Sequence, residues 1–339
     1  MDIKINIVPK LFALFVGVTV ACTPLVNERA NETASAADSL LVEEEKEPAF
    51  TRDRIVIEKE LAYDQYTLDD TYPYRDTTRM VQWETIRDRL FFLDSIQQEP
   101  AVWGVVQNYK NLNGEAPLIR KWHRDEYKLV ADDWGVARYQ SVPLYAVYDR
   151  DTAERYLRDG SLVKIIEQDS TAFTRVETVW IGGEWLVPNK YLKVIGDTVS
   201  FHHTVVVDRE NQNIITLEKV DSVWYARSIN PATTGLHQPP YGHATPIGMF
   251  VIQEKKPKMI YLKDGSSALG GFAPHASRFT NGAYLHGVPV NAPRTSQIEY
   301  SQTLGTTPRS HMCVRNATSH AKFIYDWAPT LASIVFVIE

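Results

Sequence analysis

Cysteine is scarce in this chain, with two in 339 residues, Cys22 and Cys313. Each is therefore informative, and Cys313 could be a nucleophile, a metal ligand, half of a disulfide or a core residue. Basic charge is also lacking. Lys and Arg number 36 against 42 Asp and Glu, and a net charge of −6 excludes the electrostatic footprint of a nucleic-acid binder. There is no internal repeat, and no apolar run after residue 22 is long enough to span a bilayer. The histidines show no HExxH-type spacing, which argues against a metal site. What remains is an ordinary globular composition, 44% hydrophobic and 23% charged, long enough for a sizeable core and more than one domain.

Residues 1–22 read as a targeting segment. Lys4 and Lys10 give a positive start, and residues 11–21 (LFALFVGVTVA) form an apolar run too short for a stable membrane anchor. The run ends in Val20-Ala21-Cys22, which resembles a bacterial lipobox with Thr19 in place of the usual Leu. Cys22 would then be lipidated and become the mature N-terminus. A plain secretory signal with an incidental cysteine is the alternative. The expected location is outside the cytoplasm, anchored to a membrane and facing the periplasm or cell wall. With Cys22 carrying lipid, Cys313 has no partner within the chain and no second thiolate for a metal cluster. An odd cysteine in an exported chain points to a reactive thiol or an intermolecular bond.

Residues 23–50 are polar and aperiodic and read as a disordered tether. Residues 51–135 form a partly helical N-terminal region without recognisable chemistry. Within it, Trp83, Ile86, Leu90, Leu93 and Ile96 recur at helical spacing, predicting a helix over 77–98 that Pro100 limits. Residues 136–197 are short β runs broken by Asp-Gly and Gly-Gly turns, as expected of a small barrel. This series, above all GGEWLVPNKYL, resembles a bacterial Src-homology-3-like domain, a module that often binds cell-wall peptides. A spacer barrel without a ligand is equally open. Residues 198–339 are again strand-rich, with a hairpin pattern across 204–218 and a terminal strand in IVFVI. The expected class is mainly β.

Thiol nucleophiles react as thiolates and need a base or cation nearby. In SHMCVRN, residues 310–316, His311 and Cys313 would share a face if the segment were a strand, but would diverge in a turn. His286 is the other attractive base, at the end of an apolar run and followed by Gly287. The order TPIGMF, YLHG, SHMCVRN resembles the YkuD-type L,D-transpeptidase catalytic domain over about 140 residues, from near Phe201 to the C-terminus. The resemblance implies a β-sandwich-like catalytic domain, preceded here by the small barrel and the partly helical region. It implies Cys313 as nucleophile, His286 as base and His311 as a positioning group. Backbone amides near Met312 and Cys313 would form the oxyanion hole, and Arg315 would hold a substrate carboxylate. Gly287, Ser310, Met312 and Asn316 complete the candidate substrate-binding set, Ser310 and Asn316 as loop stabilisers.

The implied reaction joins peptidoglycan stem peptides through a cysteine thioester, with loss of D-alanine and no metal or organic cofactor. An L,D-carboxypeptidase using water, attachment of another protein through the same thioester, and a non-catalytic wall-binding lipoprotein are the alternatives. Two departures stand out. Met312 replaces the family's glycine, and residues 287–309 form a longer loop than the family usually carries. His237, His243, His275 and His320 read as structural or exposed.

Overall fold

The computed structural model describes residues 50–168 and 172–339. The expected signal segment, Cys22 and all but the last residue of the expected tether lie outside the described residues. The protein is mainly β, with two α-helices among the described residues, α1 (Trp83–Ile96) and α2 (Thr318–Trp327).

The architecture is built on a six-stranded sheet. Its order is Val56–Lys59, Val223–Pro231, Asn213–Val220, His203–Asp208, Ser333–Ile338 and Gly248–Val251. Successive strand residues point to opposite faces, and here both faces are buried. Val205, Val207, Val335 and Val337 enter one core, while Val206, Ile334, Phe336 and Ile338 enter the other. This explains why the sequence shows unbroken apolar runs rather than alternation, as expected for a sheet covered on both sides. The C-terminal strand is therefore internal to the sheet and pairs in parallel with His203–Asp208.

A second sheet covers one face. It runs Glu254–Leu262, Leu269–Thr280, Ala283–His286 and Val314–Arg315, with Val290–Asn291 paired to Leu269–Thr280. Phe279, Ala283, Leu285 and Val314 meet the first sheet in the shared core, and α2 adds Ile324. The other face of the six-stranded sheet is covered by α1, through Ile86, Leu90 and Leu93. Asp94 fixes this helix, accepting the Trp224 indole N–H at 3.1 Å and pairing with Lys219 at 2.8 Å.

The N-terminal region is thus part of the sandwich. Its strand Val56–Lys59 extends the six-stranded sheet, pairing in parallel with Val223–Pro231. The helix is shorter than the expected span 77–98. Thr77–Met80 instead forms a hairpin with Thr71–Tyr74, because paired β-branched threonines favour a strand and the apolar stripe begins only at Trp83.

The third large element is a seven-stranded antiparallel sheet, ordered Leu192–Gly196, Val102–Val106, Leu162–Gln168, Phe173–Thr178, Glu184–Pro188, Ser141–Tyr145 and Ala153–Arg158. Val102–Val106 lies second in this order, so the sheet reaches well upstream of the expected boundary at 136. A loop, 107–114, leaves this strand and reaches the second sheet, where the Tyr284 hydroxyl meets that of Tyr109 at 3.4 Å.

Because α1 and the six-stranded sheet share one core, Leu90→Ala should lower the unfolding free energy by about 2–5 kcal/mol. Urea titration followed by tryptophan fluorescence should give one transition at lower midpoint. A separate early transition for the N-terminal region would contradict the shared core.

Candidate active site

Cys313 lies at the end of a loop that is held on both sides. Leu236 donates its backbone N–H to the Ser310 carbonyl at 2.8 Å, and Thr233 and Arg315 exchange backbone hydrogen bonds at 3.0 and 2.9 Å. The Ser310 hydroxyl donates to the Cys313 carbonyl and closes the turn. Between them, Met312 is held at φ +136°. An L-residue there costs on the order of 1–2 kcal/mol, and its neighbours hold it in place. The Thr245 hydroxyl donates to the Met312 carbonyl at 2.7 Å and accepts the Gly235 N–H at 2.8 Å. Gly235 is needed for space, since a Cβ there would lie 2.7 Å from Met312 Cα and 2.4 Å from the His243 carbonyl. The loop thus keeps a glycine-type backbone, and the Met312 side chain packs on the core between the two sheets.

His286 ends the strand Ala283–His286, which pairs in parallel with Val314–Arg315: Leu285 faces Val314 and His286 faces Arg315. This pairing carries Cys313 and His286 into one cleft of about 720 Å³. The His286 ring is buried, and its Nδ1 lies 2.6 Å from the Gly287 carbonyl. A carbonyl accepts only, so Nδ1 carries the proton and Nε2 is left as the free acceptor. Burial drives the His286 pKa down to about 4. Burial also pushes the Cys313 thiol up to about 11, although the Tyr284 backbone amide and the Arg315 charge favour the thiolate. The resting pair is a thiol and a neutral imidazole. The thiol donates to the Gly282 carbonyl at 3.5 Å.

The cleft is cationic. Lys110, Lys263 and Arg315 line it, and its one carboxylate, Asp264, pairs with His311 at 3.2 Å. His311 is therefore exposed at the mouth, with its imidazole turned to Asp264. Residues 311–312 form a bend rather than a strand, so the face-sharing of a strand does not apply, and His311 and Cys313 both line the cleft. Arg315 is half-buried, and its Nε has no partner among the described residues. Ser310 lines the cleft, while Gly287, Met312 and Asn316 do not. Gly287 lets the backbone pass Thr318, where a Cβ would come within 2.7 Å of the hydroxyl. Asn316 is buried and ties the two strands, its N–H donating to the His286 carbonyl at 2.9 Å. Met312 lines a second cleft, of about 650 Å³, with His237 and His243. His320 is buried against the Ser228 hydroxyl at 2.8 Å. Among the described residues no three His, Cys, Asp or Glu side chains gather as a metal site would need.

Two cleft residues come from the region that had no recognisable chemistry. Tyr109 and Lys110 arrive on the loop after Val102–Val106. The asparagine- and glycine-rich stretch QNYKNLNG following an apolar strand marks a loop, but not its destination. The expected long loop, 287–309, does border the cleft, through Pro289, Asn291 and Ala292.

Residues 202–337 match the family model of YkuD, the L,D-transpeptidase catalytic domain. This part of the chain is a YkuD domain. Among solved structures, a fused Zn-dependent amidase/peptidase/peptidoglycan-binding domain-containing protein from Clostridium acetobutylicum is 19% identical, with a TM-score of 0.30, over 40% of this chain and 52% of its own. The match thus spans about half of that protein. An L,D-transpeptidase from Mycobacterium smegmatis is 16% identical over 58% of this chain and 99% of its own, with a TM-score of 0.34. One from Mycobacterium tuberculosis H37Rv is 18% identical over 59% and 77%, with a TM-score of 0.32. No curated protein matches the chain.

Two predictions follow from the geometry of the YkuD domain. At position 312 the usual ranking of alanine over glycine should invert. Met312→Ala keeps the Cβ strain and loses packing, so it should be less stable than Met312→Gly by about 1 kcal/mol; equal or reversed midpoints in urea would contradict the strain.

The second concerns pH. In the unfolded chain His286 titrates near its usual 6.5, and in the folded chain near 4. Between these values the unfolded state binds more protons, so stability falls as pH drops from 6.5 through 4. Cys313 acts oppositely: its folded pKa is the higher, so stability falls as pH rises from 9 through 11. Thermal midpoints of His286→Asn should show a shallower acid decline than the wild type, and those of Cys313→Ser a shallower alkaline one.

Proposed function

We propose that the protein is a peptidoglycan L,D-transpeptidase with Cys313 as nucleophile and His286 as base. The observation that carries this reading is the parallel pairing that brings Cys313 and a buried His286 with a free Nε2 into one cationic cleft. In this mechanism Nε2 takes the thiol proton as sulfur attacks the carbonyl of the third residue of a stem tetrapeptide. Because both groups rest in their neutral forms, the proton moves with the attack rather than before it. The negative charge on the carbonyl oxygen is met by backbone amides at Met312 and Cys313. Collapse breaks the bond to the terminal D-alanine, whose amine takes the proton back from His286. An acceptor amine on a second stem then attacks the thioester, gives up its proton through His286, and restores the thiol.

Arg315 suits the carboxylate of the departing D-alanine, since its guanidinium has an unused donor and a planar fork. In this reading the seven-stranded module is the Src-homology-3-like domain, and Cys22 carries a lipid that holds the enzyme at a membrane facing the wall.

The test uses the chain without residues 1–22, incubated with a carbapenem and with purified muropeptides and followed by mass spectrometry. Wild type should gain one carbapenem on Cys313. Cys313→Ala should gain none, and His286→Ala should react at least ~100-fold more slowly. Unmodified Cys313 together with intact muropeptides would overturn the reading. Dimeric products mark transfer to an amine, whereas shortened monomers mark hydrolysis.

A further inference from the structure

The Asp159-Gly160 pair belongs to the seven-stranded module, as the turn between Ala153–Arg158 and Leu162–Gln168. It does not end in solvent. Asp159 has no exposed surface, and its carboxylate reaches across to the YkuD domain. Oδ1 accepts the Asn108 N–H at 2.8 Å. Oδ2 accepts Gln253 Nε2 at 2.8 Å, the Asn281 N–H at 3.0 Å and the Arg278 guanidinium. Burial raises the Asp159 pKa, and Arg278 opposes that rise. Every partner is a donor, so a carboxyl proton would displace one of them, and the pair is carried as an ion pair. The Asp159 carbonyl also accepts the Thr280 hydroxyl at 2.5 Å. Gly160 lets the turn pass, because a Cβ there would meet the Phe279 carbonyl at 1.9 Å.

These contacts converge on one short turn. Thr280 and Asn281 are gripped directly, and Arg278 also donates to the Asn281 carbonyl at 3.4 Å. The next residue, Gly282, supplies the carbonyl that takes the Cys313 thiol at 3.5 Å, and Tyr284 supplies the amide that favours the thiolate. Asn281 is at φ +42° and Gly282 carries no side chain, so the turn has little of its own to hold it. The same loop that gives the Asn108 N–H continues into Tyr109 and Lys110 on the cleft wall.

We propose that Asp159 is a positioning residue for Cys313: the seven-stranded module sets the orientation of the nucleophile by holding the 280–282 turn from outside the catalytic domain. This rests on the reading of Cys313 as nucleophile. An ion pair in a core is weak evidence for stability by itself. Its value here lies in where its donors end, one residue from the carbonyl that orients the sulfur.

The experiment compares the wild type, Asp159→Asn and Trp180→Leu, all without residues 1–22. Trp180 comes from the same module and packs on Phe336 with ring centroids 6.2 Å apart, in the core on the opposite face of the six-stranded sheet from Phe279 and Ala283, which flank the turn. Two rates are read on folded protein, below each variant's thermal midpoint: carbapenem acylation, and iodoacetamide alkylation of Cys313 across pH. Asp159→Asn should lower the acylation rate about tenfold or more and move the inflection of the alkylation profile, since small misplacements of a nucleophile are costly. Trp180→Leu should keep both at wild-type values even where its midpoint falls.

If Asp159→Asn does not fold, Thr280→Val carries the test. It removes the hydroxyl bond to the Asp159 carbonyl and keeps the ion pair, and it should move the same two readouts in the same direction. A wild-type profile in the folded Asp159→Asn or Thr280→Val variant, or an equal change in Trp180→Leu, would overturn the proposal. Absence of acylation in the wild type itself would overturn the transpeptidase reading instead.

Discussion

Two residue pairs, Leu285 with Val314 and His286 with Arg315, hold the site together. Parallel pairing between strands so short is weak in isolation, yet it alone places the imidazole and the thiol on one wall of the cleft. The rest of the molecule supports it. Leu285 and Val314 are anchored in the core between the two sheets, Asn316 bonds back to the His286 carbonyl, and Thr233 brackets Arg315 from the far side. The six-stranded sheet below, buried on both faces, gives this arrangement a rigid floor.

The sequence carried the apolar strands plainly. The VVV and IVFVI runs became the middle of the central sheet, and the pattern from Trp83 to Ile96 became α1. The elements HG and SHMC also stood out, and they meet in space. What could not be read was the geometry between distant segments. Nothing in SHMCVRN says that His311 turns to Asp264, a residue from a distant loop. Thr245 was visible only as the first residue of TPIGMF, because its role depends on the loop that it pins. Asp159-Gly160 looks like any hairpin turn, and its contacts lie 94 to 122 residues away, at Gln253, Arg278 and Asn281. Local pattern reports local structure, whereas a buried carboxylate that joins two modules is a property of tertiary packing.

Met312 illustrates how such a departure is tolerated. The backbone of the cysteine loop needs a conformation that glycine adopts freely, and a side chain can stand there only if the surroundings compensate. Here they do so in three ways: a hydroxyl bond to its carbonyl, a side-chain-free neighbour at Gly235, and an apolar core that receives the thioether. The strain is local and its supports come from three separate segments of the YkuD domain.

The protonated resting state of Cys313 has a consequence for the life of the protein. Peroxides and small electrophiles attack thiolates far faster than thiols. A sulfur whose proton stays in place well above neutral pH, and is given to the Gly282 carbonyl, offers them little to react with near neutrality. Near neutral pH the site is slow toward casual oxidants and small electrophiles, and it reacts with them as the pH climbs toward the thiol's own titration.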